Sequence, residues 1–533
     1  MRHPMRVLGI AALVLVTGAA LAAHTEPHRE RVTTVEGTVE GEAEGATVAF
    51  RGIRFAAPPV GALRFKAPQP PPHWTGTRLA LDMSPACPQL LDGDPTENGH
   101  AVMAEDCLAL NVWTPKVDAK RRPVMVWIHG GAYVVGSTRN TWYNGSRLAA
   151  RGDVVVVTIN YRLGAWGFLS LPGFGPEYAG SANAGLLDQV AALRWVRANI
   201  AAFGGDPGNV TIFGESAGAS SIGDLLAMPI ANGLYARAIL ESGLPSARPV
   251  DQSVRQNRLT TEFLKAVGAS TAAELQAKSM EELLHAQEQV FAVHSDIGTF
   301  VPSIDGIVLE ERAFDVVAAG RGSGVPLLIG TTLDEMQYFN TAEDLGLDHK
   351  PREVLIKQLE AAAGARAPEI LAVYERLYPR WGDTVVQIAS DAIMRNPSIR
   401  LAEALSAHQN VYMYLFTYRS TSTYKPFASA HAMELPFVFG GVGNLDEIVF
   451  TGRDPRRFAL ADTVMDAWTA FARTGNPTPR QGPEWPAYEP RRRLTMELGV
   501  HVGVLSDPLA EQRLAWGDAV PTVEQASRFL QEN

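Results

Sequence analysis

An apolar, β-prone run, Val210-Thr211-Ile212-Phe213, stops at Gly214-Glu215-Ser216-Ala217-Gly218, and a small-residue, helix-prone segment follows. Few local patterns restrict a fold as strongly. A strand that turns directly into a helix needs a sharp corner, and a serine at that corner takes a strained backbone conformation. Glycines two positions to either side let strand and helix approach closely. The helix N-terminus then points at Ser216 and favours negative charge there. In this context the serine reads as a nucleophile; outside it, the same five residues are a plain turn.

The rest of the chain supplies a frame for such a corner. "PVMVWIHGG" (Pro123–Gly131), "DVVVVTINY" (Asp153–Tyr161), "ARAILESG" (Ala236–Gly243), "VPLLIGTT" (Val325–Thr332) and "VYMYLFTY" (Val411–Tyr418) read as buried strands. Leu187, Val190, Ala191, Leu193, Trp195 and Ile200 mark an amphipathic helix between 186 and 202, and Gly204 to Gly208 reads as the turn before the next strand. Continuous apolar strands alternating with helices predict an α/β fold with a large, mostly parallel sheet covered on both faces. Sites on such sheets lie beyond the carboxyl ends of the strands. The 533 residues, 46% hydrophobic and 20% charged, suit a large core, and no linker, charge block or repeat divides them. The expectation is one catalytic domain over 23–533, with helix-rich insertions at about 252–296 and 334–404 that cap the site.

Residues 1–22 read as an export signal. Arg2 and Arg6 precede an apolar run from Val7 to Gly18, and Ala20-Leu21-Ala22 places the cut after Ala22. A short membrane anchor is the competing reading. No later run of 18 apolar residues exists, so a secreted or periplasmic protein without stable membrane association is expected. Loss of the two arginines takes the net charge from −10 to −12. That acidity argues against nucleic acid as a partner. Cys87 and Cys107, the only cysteines, read as a disulfide in an exported chain. The closed loop contributes about 3 kcal/mol on the chain-entropy account.

A nucleophilic serine needs an oxyanion hole, a base and an orienting acid. One hole donor is the N–H of Ala217, and "HGGAY" (His129–Tyr133), at the end of an earlier strand, is the candidate for the others. In enzymes with this corner, the acid follows the serine and the base follows the acid. "LLIGTTLDEM" offers Asp334 and Glu335. His349, His408, His431 and His501 come after them; "SAHAMELPFVFG" favours His431, between a Ser/Ala loop and an apolar run. The pattern does not choose between Asp334 and Glu335.

Longer stretches extend these signals. "FRGIRFAAPPVGALRFKAPQP" (Phe50–Pro70), "EDCLALNVWTP" (Glu105–Pro115), Asn183–Ala219, "GTTLDEMQYF" (Gly330–Phe339) and "HAMELPFVFG" (His431–Gly440) together resemble the type-B carboxylesterase family, the cholinesterase-like branch of the α/β-hydrolase fold. The resemblance covers most of the chain. It implies a serine carboxylic-ester hydrolase of bacterial secreted type that needs no cofactor or metal, with a small-molecule ester as its partner. It implies a triad of Ser216, Glu335 and His431, oxyanion donors at Gly131, Ala132 and Ala217, and a Cys87–Cys107 disulfide. Two departures stand out. Ala132 occupies a position where the family often has a third glycine. The loop between the cysteines has no tryptophan, the residue with which cholinesterases face quaternary ammonium, which speaks against choline esters.

Other residues near these motifs have plainer readings. Glu215 reads as an anchor for buried backbone or an arginine, with electrostatic tuning of the site as the alternative. Ser242 is a strand-end cap or a contact of the acid loop. Arg162 belongs to a structural ion pair, and Trp142 and Tyr143 pack or line the approach to the site. Asn144 and Asn209 head glycosylation sequons. Two further readings stand beside a general esterase: an esterase for a bulky natural-product, xenobiotic or polyester substrate, and a non-catalytic adhesion protein of the same fold. The intact Ser216, Glu335 and His431 argue against the latter.

Overall fold

Parallel neighbours in a sheet require long crossovers, and the segments between the apolar runs provide them as helices. The computed structural model describes residues 28–519 except 91–101, 246–250, 295–298 and 342–344, together with 521, 525, 526 and 528–530. The export signal and most of the segment between the cysteines therefore lie outside the described residues.

Thirteen strands form one sheet among the described residues: β1 Arg29–Thr33, β2 Thr38–Glu44, β3 Thr47–Arg54, β4 Thr77–Leu79, β5 Ala109–Thr114, β6 Arg122–Ile128, β7 Val155–Ile159, β8 Gly205–Glu215, β9 Arg237–Glu241, β10 Leu327–Thr332, β11 Val411–Phe416, β12 Leu494–Leu498 and β13 Val502–Ser506. Their order is β1-β2-β3-β5-β7-β6-β8-β9-β10-β11-β12-β13, with β4 on β2. From β7 to β12 every neighbour is parallel. The two margins are antiparallel. All six apolar runs are strands. The outer margin strands escaped the sequence reading because they are partly solvated, and β3 and β5, though largely buried, because polar residues interrupt their apolar runs.

One correction concerns Gly204–Gly208, read as a turn. Gly205 already pairs with Arg122, and the register shifts between Arg122 and Val124, so these residues form an irregular start to β8. The preceding helix, α1, runs over Ala184–Asn199 and tightens into a 3-10 turn at Ile200–Phe203.

The period-two alternation of β6 shows how the core is divided. Val124, Val126 and Ile128 pack into one layer, Met125 and Trp127 into the other, and all five are fully buried. Helices Asp251–Val267 and Met280–His294 lie in the first insertion segment. The second holds Arg352–Ala363, Ala367–Leu377 and Trp381–Ser390, which share a small core with Ala515, Trp516 and Phe529, and Asn396–Leu405, whose Ile399, Leu401, Ala402 and Leu405 pack into the main core. Cys87 and Cys107 are joined in a disulfide. Nearby, Gln89 exchanges two hydrogen bonds with the backbone of Gly136, tying this segment to the loop after β6. Both sequon asparagines are engaged: Asn144 donates to Glu44 and Asn209 accepts from Arg237.

Candidate active site

Because β6, β8, β9, β10 and β11 are parallel, the segments that follow them emerge at one edge of the sheet. That edge carries His129–Tyr133 after β6, Ser216 after β8, Ser242 after β9, Asp334 and Glu335 after β10, and, after β11 and a loop, His431. Residues scattered over 300 positions of sequence are gathered by strand direction alone.

Ser216 sits at the corner between β8 and a helix, α2, Ala217–Leu225. Its φ of +54° lies in the left-handed region, and its N–H donates to Glu241 O at 2.9 Å. The flanking glycines are required by contact: a Cβ on Gly214 would stand 2.6 Å from Ile128 O, and one on Gly218 would collide with the same carbonyl. In the loop after β6, Gly131, Ala132 and Tyr133 all have positive φ, at +102°, +52° and +65°. Ala132 therefore holds a conformation that costs an alanine about 1–2 kcal/mol. The N–H groups of Gly131, Ala132 and Ala217 have no protein acceptor among the described residues. Gly130 packs where a Cβ would touch Glu215 and Ser216, so this loop lies directly on the corner.

Of the two acids that follow β10, Glu335 is the one placed against His431. Glu335, fully buried, accepts His431 Nδ1 at 2.6 Å, Ser242 Oγ at 2.6 Å and the Thr332 N–H at 2.7 Å. Asp334 turns away, toward Ser429 and Gln387. The other histidines are elsewhere: His349 and His408 are exposed, and His501 is exposed in the turn between β12 and β13. Phe339 packs its ring 5.5 Å from that of His431, with Tyr338 at 6.5 Å.

Glu215 departs from its reading as an anchor for backbone or arginine. Its Oε1 lies 2.9 Å from His431 Nε2. The reason is strand alternation: Glu215 shares a face with Phe213, and residues 430–439 pack on that face. Among the described residues, Ser216 Oγ has no hydrogen-bond partner in this state. Burial opposes a charged His431, but the carboxylates of Glu215 and Glu335 outweigh it and hold the imidazolium well above its ordinary pKa.

Two further acids complete the buried set. Glu434 accepts from Tyr414 at 3.1 Å, and burial, reinforced by Glu335 and Glu215, pushes it up to about 8. Glu241 accepts from Trp468 Nε1 at 2.7 Å, and burial, then Glu434, holds it well above the carboxylate range. In both, burial favours the protonated form. The sequence reading missed them; the available signal was an acid inside an apolar run, in "AILESG" and "HAMELPFVFG". Ser242 proves to be a contact of the acid loop. Arg162 is the structural ion-pair member expected, paired through two nitrogens with buried Asp188. Trp142 stacks on Phe450, and Tyr143 packs on Trp127.

The chain resembles characterised proteins over nearly its whole length. Residues 28–516 match the Carboxylesterase family. The para-nitrobenzyl esterase of Bacillus subtilis (strain 168) is 41% identical over 491 residues, covering 90% of this chain and 97% of that protein. The fumonisin B1 esterase of Sphingopyxis macrogoltabida is 36% identical over 508 residues, covering 91% and 89%. The crystal structure of the Geobacillus stearothermophilus carboxylesterase EST55 at pH 6.2 superposes with a TM-score of 0.81 at 38% identity, covering 91% of this chain and 99% of that one. With its parallel sheet, its strained serine corner and these relatives, the chain belongs to the carboxylesterase family, serine hydrolases of carboxylic esters with the α/β-hydrolase fold.

Proposed function

We propose that Ser216 is the nucleophile of this carboxylesterase, His431 its general base and Glu335 the group that orients the base. The observation that supports this most is the attachment of His431. Nδ1 is held by Glu335 at 2.6 Å while Nε2 faces Glu215, the residue next to Ser216. The imidazole must turn from Glu215 to the serine hydroxyl and give up any proton on Nε2 before it acts. It then takes the hydroxyl proton as Oγ attacks the ester carbonyl. Glu335 stabilises the imidazolium so formed. The N–H groups of Gly131, Ala132 and Ala217 receive the oxyanion, each worth about 2.7–4 kcal/mol in the transition state. His431 next protonates the leaving alcohol. Water, activated by the same nitrogen, releases the acid from Ser216.

The chain is exported after cleavage following Ala22, and the Cys87–Cys107 disulfide is in keeping with an oxidising compartment. Among the described residues no helix is long and apolar enough to cross a membrane. Residues 23–533 act as one catalytic domain, with 252–296 and 334–404 as its cap. Relatives named for para-nitrobenzyl and fumonisin B1 esters favour bulky esters as substrates.

Hydrolysis of 4-nitrophenyl esters from acetyl to long acyl chains tests the mechanism, with Ser216→Ala alongside. Turnover that disappears in Ser216→Ala is expected, together with fluorophosphonate labelling of the wild type alone. Turnover that survives in Ser216→Ala refutes the serine mechanism.

A further inference from the structure

Asp334 neighbours the orienting acid and does not touch the imidazole, yet it is 5% exposed and more densely bonded than any surface acid needs to be. Its N–H donates to Ser429 O at 2.9 Å, and its Oδ2 accepts the Ser429 N–H at 3.0 Å. The acid loop and the histidine loop thus exchange a reciprocal pair of bonds two residues before His431. One position further on, the His431 N–H donates to Glu335 O at 3.1 Å. Gln387, on helix α3 (Trp381–Ser390), donates to Oδ1 at 2.6 Å, and Arg419 Nη1 lies 3.0 Å from Oδ2. Ser390 Oγ, at the end of the same helix, accepts the Met336 N–H.

The histidine loop needs such a hold. Ala428 and Ala432 have φ of +57° and +65°, a left-handed conformation that alanine disfavours. Two such residues bracket Ser429 and His431. Left to local preference, this stretch would relax toward ordinary backbone angles and carry the imidazole with it. The Ser429 hydroxyl, donating to Phe416 O at 2.9 Å, fixes the loop to the end of β11. Side chains tie it to the loop that carries Glu335 at three points: Glu335 holds the His431 ring, Gln337 donates to Pro426 O at 3.1 Å, and Asp334 alone of the three accepts a backbone N–H beside His431.

We propose that Asp334 is a positioning residue for catalysis: by clamping Ser429 it sets the Glu335–His431 pair in register, with Gln387 and Arg419 holding the clamp from the second insertion segment and the loop after β11. This inference rests on the triad assignment above. It gives the two neighbouring acids different tasks, one bonded to the base and one to the loop that carries the base.

The test compares wild type, Asp334→Ala and Asp334→Asn as full chains with the disulfide intact. 4-Nitrophenyl acetate is the substrate, and working sites are counted by exhaustive fluorophosphonate labelling. A misplacement of the base on the ångström scale costs about 100-fold in rate. For Asp334→Ala the expected result is kcat per labelled site lower by about 10–100-fold with KM within about twofold. Asp334→Asn keeps one acceptor and presents an NH2 group to the other donors, so it falls between Asp334→Ala and wild type; it decides the matter where Asp334→Ala does not accumulate. The acid limb of kcat/KM moves to lower pH, because an imidazole loosened from Glu335 binds its proton less tightly. The groups facing that imidazole are Glu335 and Glu215 in contact and Glu434 beyond; those facing Asp334 are Arg419 and, further off, Asp383. Wild-type kcat per labelled site and an unmoved acid limb, with only the labelled fraction or the melting temperature reduced, would overturn the proposal. Ser216→Ala separates the two readings: its loss of turnover with an unaffected Asp334→Asn rejects the clamp alone, whereas turnover retained in Ser216→Ala rejects the triad.

Discussion

The serine corner and the histidine loop meet at the same edge of the sheet, but opposite means hold them in place. The corner is fixed by what its residues lack. Gly214 and Gly218 have no side chain, and β6 closes in until the Ile128 carbonyl fills both spaces. The histidine loop is fixed by what distant residues supply. Ser429 and His431 bond to acids 95 and 96 positions earlier in the chain, while Ala428 and Ala432 hold unfavourable angles between those bonds. A corner built from steric necessity is rigid on its own; a loop built from long-range bonds is only as accurate as those bonds. The first device suits a nucleophile on a strand end. The second sets the imidazole between Glu335 and Glu215, the neighbour of Ser216.

The largest loss is expected at His431, the proposed base. His431→Ala is expected to lower kcat by about 10⁴–10⁶-fold, with the folded structure retained, as steady-state assays beside thermal melts will show. At the corner the expected damage is to folding. Gly218→Ala drives a methyl into the Ile128 carbonyl and costs about 1–3 kcal/mol or more. Gly503→Ala, in β13, meets nothing within 4 Å and is expected to change stability by less than about 1 kcal/mol. Denaturant titration of the two variants distinguishes a glycine required by contact from one that is not.

A subtler break uses pH. Glu434 titrates at about 8 in the folded chain against an ordinary value near 4.5, with burial as the main cause. Its raised pKa means that the neutral form is favoured on folding. That contribution is complete below pH 4.5 and is lost as pH rises through 8. Glu434→Gln, permanently neutral, should therefore melt nearly like wild type at pH 5, gain on it up to about pH 8 and hold that gain at pH 9; a difference that does not change with pH across that range would refute the assignment. The smallest effect is expected at Ala428→Gly. It relieves a left-handed alanine worth about 1–2 kcal/mol and adds glycine's unfolded-state entropy, about 0.5–1 kcal/mol. A net gain of about 1 kcal/mol or less should appear as a small rise in melting temperature.

The same contrast explains what was legible. The serine corner could be read because its cause is local: five residues, an apolar strand before them and a small-residue helix after. The six parallel strands could be read because burial on both faces makes each a continuous apolar run. Asp334 and Glu335, side by side in "TTLDEM", present the same chemistry to any local reading, and only resemblance to a family favoured the second. For Glu215 the favoured reading, an anchor for backbone or arginine, gives way to its alternative, an electrostatic neighbour of the site, because its partner lies 216 positions away. Glu241 and Glu434 are unremarkable acids until the sheet and the histidine loop enclose them.

By itself, then, the sequence determined the parallel sheet, the strained serine corner, the glycines that make it possible and the pairing of the two cysteines, because each is written in neighbouring residues or in a count of two. Tertiary structure alone decided which acid holds His431, that its other nitrogen rests against Glu215, and that Asp334 ties the loops together. Those outcomes depend on which side chains face one another across strand ends, and that is set by the direction and pleat of strands far apart in the chain.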